Sequence, residues 1–170
     1  MRLFVAVLFT PEIIAELSAA TDRLRNVAVS GNFTRPENLH LTLAFLGETS
    51  RADAIRSAMA KASPKPFTLT LSHFGRFKNT GGDIVWAGLR EDSALSDYVE
   101  RLYFALRGEN FRLDERGFKP HITLGREVVL NAPLDIPVNP LSMECRKISL
   151  MKSERLGGRI CYTEVDSVSI

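Results

Sequence analysis

His40-Leu41-Thr42-Leu43 and His121-Ile122-Thr123-Leu124 are two copies of one short pattern, and their reading decides the fold. The stretches around them, Leu39–Gly47 and Pro120–Arg126, have the β-branched and aliphatic residues of strands, with polar and apolar positions alternating and turn residues close by. In a strand, residues i and i+2 share a face, so each histidine stands beside the threonine two positions on, and the intervening aliphatic residues point to a core. The copies lie 81 residues apart. The same offset lays Arg2–Phe9 over Asp83–Arg90, a helix starting near Pro11 over one starting near Asp92, and Pro36 over Gly117. Each motif strand is then the second strand of a strand–helix–strand unit. Two such units about a rough two-fold axis would set the motif strands side by side, with both His/Thr faces in one cleft.

Outward from the motifs, Arg2–Phe9 is apolar after its first residue, as in a central strand buried on both faces. Thr10 can cap a helix with Pro11 in its first turn. Ile13, Leu17, Ala20, Leu24 and Val27 fall on one helical stripe, and Gly31 is expected to end the segment. Ser50 opens a second helix with Ile55, Met59 and Ala62 inward, stopped by Pro64. Phe67, Leu69 and Leu71 alternate with polar residues in a half-buried strand, and Asn79-Thr80-Gly81-Gly82 is a hairpin turn. Ile84–Leu89 is a strong strand. A helix with Leu95, Val99, Leu102 and Leu106 on one face follows it. Asn131–Asn139 is an extended, proline-containing connector, and Lys147–Leu156 and Arg159–Val165 form a closing hairpin around Leu156-Gly157-Gly158.

A chain of 170 residues suits one domain, or two lobes sharing a core. A formal net charge of +2 is too small for a long nucleic-acid footprint, although a local basic patch fits it. The apolar run at the start is short for a signal peptide, and no segment reaches the length of a membrane span. Cys145 and Cys161 have neither metal-ligand spacing nor a disulfide-rich context. They read as reduced thiols of a cytoplasmic protein.

Two imidazoles suit hydrolysis of a phosphodiester without a metal. One, neutral, takes the proton of attacking water, and the other, protonated, supplies the departing ribose oxygen. A reference pKa of about 6.5 allows both states near neutrality. Thr42 and Thr123 could donate to the non-bridging oxygens as charge builds there. A single His-x-Thr-Leu is commonly a strand fragment whose histidine bonds to backbone. Two of the three histidines sharing it by chance, at ordinary residue frequencies, is about one in ten thousand. A metal site fits poorly, because no carboxylate or cysteine stands beside the two histidines.

The two motifs, with Met1-Arg2-Leu3-Phe4-Val5-Ala6-Val7, Glu37-Asn38-Leu39 and Arg126, resemble the 2H phosphoesterases. Within these the chain is similar to the RNA 2',3'-cyclic phosphodiesterases, also called 2'-5' RNA ligase-like proteins. The resemblance spans residues 1–170 as one domain. It implies a bilobal α+β fold, two pseudo-symmetric lobes of antiparallel-rich sheet with helices outside and a central cleft. It implies hydrolysis of RNA 2',3'-cyclic phosphate ends to 2'-phosphates without metal or cofactor, with reversible 2'-5' joining also credited to relatives. It further implies His40 as proton donor to the 3' oxygen and His121 as base for water, whereas sequence chemistry fixes only the pair. The partners so implied are RNA ends, with no membrane and no obligate protein partner. A cyclic phosphodiesterase for a small nucleotide, or a nucleotide-binding module without turnover, are the alternatives.

Arg126 lies five residues after His121, so strict alternation sends it to the opposite face. A bulge at Gly125 would return it, and the resemblance favours a phosphate contact there. Phe45, its counterpart after His40, is a candidate for base stacking but reads more simply as core. His73 reads as structural and Trp86 as core. Arg35, Arg76, Lys78, Lys119, Lys152 and Arg155 read as surface charge that could steer RNA.

Overall fold

Strand β1 (Arg2–Val7) is buried from Leu3 onward because it pairs on both edges. Helix α1 (Pro11–Val27) starts as its cap predicts: the Thr10 hydroxyl accepts from the Ile13 amide, with Pro11 in the first turn. Ile13, Leu17, Ala20 and Leu24 are buried, but Val27 is exposed, because the helix stops there. Gly31 does not end the segment. It lies within strand β2 (Ala28–Phe33), whose mixed AVSGNF sequence has no regular alternation to signal a strand, since an edge strand needs no continuous apolar face.

A single 3-10 turn at Pro36–Asn38 leads into β3 (Leu41–Glu48). Helix α2 (Ala52–Lys61) begins two residues later than Ser50 suggests and has no side-chain N-cap. After it come β4 (Phe67–Phe77), β5 (Asp83–Leu89), α3 (Ser93–Gly108), β6 (His121–Leu130), β7 (Ser142–Cys145), β8 (Lys147–Leu156) and β9 (Arg159–Ser169). Asp92 caps α3 by accepting from the Leu95 amide at 3.1 Å. Within α3, Arg101 donates to the carbonyls of Ala62 (2.8 Å) and Ser63 (3.3 Å), satisfying the C-terminal end of α2. The computed structural model describes all 170 residues, and no helix in it is long and apolar enough to cross a membrane.

All strand pairings are antiparallel, in two sheets ordered β3-β1-β8-β9 and β2-β6-β5-β4-β7. The offset of 81 survives folding: β1 and β5 correspond, as do β3 and β6, α1 and α3, and β4 and β8. The motif strands β3 and β6 are nevertheless not paired side by side. Each sits in its own sheet, and they approach one another across the junction. The reason is an exchange: β4 follows the first unit but pairs with β5 of the second, and β8 follows the second but pairs with β1 of the first. Each sheet turns one face to a continuous core of 32 buried residues drawn from both sheets and all three helices. The architecture is α+β and bilobal, and in the first sheet the helices pack on the face opposite the one that carries Phe4 and Tyr162 beside His40.

The connector after β6 runs irregularly to β7, with its prolines, and is fastened to α1. Glu16 accepts from the Asn139 amide (3.3 Å) and side chain (2.9 Å), and Arg23 bridges Glu16 (2.8 Å) to the Pro137 carbonyl (3.0 Å). Burial alone would raise the pKa of Glu16, but these hydrogen bonds outweigh it and lower the value.

Candidate active site

His40 stands at the entry to β3. The 3-10 turn before it is tied to β9, because Arg35 Nη2 (2.6 Å) and Asn38 Nδ2 (3.0 Å) both donate to the Ile160 carbonyl. His40 Nδ1 lies 2.7 Å from the Asn38 carbonyl. A carbonyl only accepts, so Nδ1 carries the hydrogen, and neutral Nε2 accepts from the Thr42 hydroxyl at 2.9 Å. The Phe4 and Tyr162 rings lie 5.0 Å from the imidazole, Tyr162 edge-on.

His121 repeats this arrangement in the other sheet. Its Nδ1 donates to the Lys119 carbonyl at 2.6 Å, again the residue two positions earlier, and 38 and 119 differ by the same 81. Phe77 packs edge-on at 5.1 Å and Trp86 at 6.1 Å. Each imidazole thus has Nδ1 fixed by backbone and is braced by two aromatic rings. Proton exchange with a ligand therefore falls to Nε2, which in His40 also holds the Thr42 hydroxyl.

Two bulges set the rest of the site. In β6, Thr123 faces Trp86 while Gly125 faces Val85, so Leu124 is an extra residue. In β3, Thr42 faces Ala6 while Ala44 faces Val5, so Leu43 is the extra one, 81 positions earlier. A single extra residue reverses the alternation. Arg126 is thereby turned to the face of His121 and Thr123, and Phe45 to the face of His40 and Thr42. Phe45 is not core: it is 48% exposed, opposite Phe4, with the Arg2 guanidinium 5.0 Å above its ring.

The two halves meet electrostatically at His40. Burial lowers its pKa, the hydrogen bond to Asn38 opposes this, and the charges of Arg126 and His121 lower it further. Residues from strands in different sheets therefore act on one imidazole. The polar groups gathered here are imidazole, hydroxyl and guanidinium, a set suited to a phosphate anion and to proton transfer.

Sequence reasoning misplaced two residues at this site. Trp86 is only partly buried, shares a face with Thr123 opposite it, and lies across Gly75, where a Cβ would run into its ring. His73 is exposed: a bulge between Leu71 and Phe74 turns it from the core-facing side, and its ring covers Gly88, the residue opposite His121. Tyr162, Phe4 and Phe77 were also not singled out. The only sequence signal for this group was the pair of glycines, Gly75 and Gly88, inside strands.

The 2'-5' RNA ligase superfamily model matches residues 11–156. The RNA 2',3'-cyclic phosphodiesterase of Archaeoglobus fulgidus is 34% identical, aligned over 74% of this chain and 72% of its own length. The enzyme of that name from Thermus thermophilus is 32% identical over 100% of this chain and 90% of the relative. Among solved structures, Escherichia coli LigT complexed with 3'-AMP superposes with a TM-score of 0.85 at 28% identity, covering 99% of this chain and 97% of that one.

Proposed function

Since the chain belongs to the 2'-5' RNA ligase superfamily, we propose that it hydrolyses RNA 2',3'-cyclic phosphate ends to 2'-phosphates. The observation that supports the mechanism is the matched pair of histidines, each with Nδ1 held by the carbonyl two residues earlier, with His121 near enough for its charge to act on His40. With the cyclic phosphate between the two Nε2 atoms, His121 takes a proton from water as its oxygen bonds to phosphorus. The bond from phosphorus to the 3' oxygen breaks, and His40 supplies the proton that this oxygen needs. Arg126 pairs with the non-bridging oxygens, and Thr42 and Thr123 donate to them where charge accumulates. Phe45 offers a stacking surface for the terminal base.

Burial, with the charges of Arg126 and His121 added to it, makes His40 favour its neutral form. The acid role requires the opposite form. A phosphodiester anion beside His40 offsets the Arg126 charge and raises the pKa, so protonation is coupled to substrate binding. By microscopic reversibility an RNA 5'-hydroxyl in place of water gives a 2'-5' linkage. The catalytic unit spans both lobes in one domain, and reduced thiols suit action in the cytoplasm.

The test is an oligonucleotide ending in a 2',3'-cyclic phosphate, with the phosphate position in the product identified. His40→Gln and His121→Gln should each lower turnover about 10²–10⁴-fold with an unchanged fold. Full activity in the double variant would sink the assignment. A nucleoside 2',3'-cyclic phosphate run in parallel separates RNA-end from small-nucleotide specificity.

A further inference from the structure

Displacement at phosphorus proceeds in line, so nucleophile and leaving group lie on opposite sides of the phosphate. On the mechanism proposed above, the 3' oxygen leaves toward His40, which places the ribose of the cyclic phosphate on the side of the β3-β1-β8-β9 sheet. Water then enters from the His121 side. A water molecule needs no apolar surface, yet that side carries one. The Trp86 and His73 rings stand 5.6 Å apart at 77°, forming a corner next to His121. Both rings are laid on the sheet by glycines: Trp86 crosses Gly75 and His73 covers Gly88, and a Cβ at either position would collide with the ring. Gly88 is the residue opposite His121, and Trp86 lies 6.1 Å from that imidazole, so the corner stands beside the group assigned to activate the nucleophile. Trp86 is partly exposed and His73 exposed, which leaves ring surface for a ligand.

We propose that Trp86 and His73 form an acceptor subsite for a nucleoside whose 5'-hydroxyl takes the place of water. The base stacks on one ring and meets the edge of the other. In the step itself the 5' oxygen bonds to phosphorus and its proton passes to His121 Nε2. The bond from phosphorus to the 3' oxygen breaks, and His40 returns a proton to that oxygen. The product is a 2'-5' phosphodiester with a free 3'-hydroxyl, and no further reactant is needed. Read backward, the same subsite holds the leaving nucleoside when a 2'-5' linkage is cleaved.

Trp86 is the only tryptophan in the chain, so its fluorescence reports the corner directly. Adenosine should quench it at millimolar concentration, and His73→Ala should weaken that quenching about tenfold. In turnover, adenosine added to adenosine 2',3'-cyclic phosphate should divert product to 2'-5' diadenosine phosphate. His73→Ala should cut this diversion about tenfold with hydrolysis retained, and His73→Phe should restore it, because a ring surface is what the subsite needs. Quenching and diversion both unaffected by His73→Ala would overturn the subsite even if hydrolysis proceeds. Failure of hydrolysis alone would count against the reading of the two histidines, and the quenching titration would still judge the corner.

Discussion

At the scale of single residues, the charge balance around His40 is the most direct point to test. Burial comes first among the causes of its lowered pKa, with Arg126 and His121 adding to it. Arg126→Gln removes one lowering cause, so the His40 pKa should rise in an NMR titration of its imidazole. If His40 is the acid, the alkaline limb of kcat/KM then moves to higher pH while its maximum falls through loss of the phosphate contact. An unmoved imidazole titration would show that Arg126 does not act on His40. Both histidines and both threonines were legible because polar residues at intervals of two mark one face of a strand, whereas Arg126 falls off that interval and was named through the resemblance, with a bulge at Gly125 to return it. His73 and Trp86 were misread because the β4 bulge and the two glycines beneath the rings depend on pairing partners far away in sequence.

At the scale of elements, short-range chemistry was readable and edge strands were not. Thr10, Pro11 and Asp92 mark helix starts through contacts within one turn. β2 and β7 lie at the edges of their sheet and carry few apolar residues. Arg101 joins α3 to the end of α2 through two carbonyls. Arg101→Ala should lower stability by about 1–2 kcal/mol, measured by urea denaturation, with kcat unaltered. The connector fastening gives a pH prediction. Glu16 has a lowered pKa in the folded chain, so its contribution is complete above the ordinary carboxylate value near 4.5 and is lost as pH falls through the folded value. Thermal unfolding of Glu16→Gln followed from pH 6 to pH 3 should therefore show a smaller loss of stability than the unaltered chain; an equal loss would remove Glu16 from the account.

At the scale of the whole molecule, the exchange of β4 and β8 makes each sheet out of strands from both halves of the chain. Neither half of the sequence contains a complete sheet, and the core runs through both. Calorimetry should accordingly show one cooperative unfolding transition, with calorimetric and van't Hoff enthalpies equal. Two resolved transitions would mean that the lobes fold separately. The exchange also ties the site together: His40 and His121 belong to different sheets, and the strands that cross between the repeats fix how those sheets meet.

By itself the sequence determined the two histidine strands, their repeat, the three helices and the chemistry that paired imidazoles suit. All of these follow from spacing along a strand or helix. Tertiary structure alone decided which sheet each strand joins, where the bulges reverse alternation, and which aromatic rings stand against the histidines. Those outcomes depend on partners tens of residues distant, and a one-residue slip in register moves a side chain from the core to the cleft.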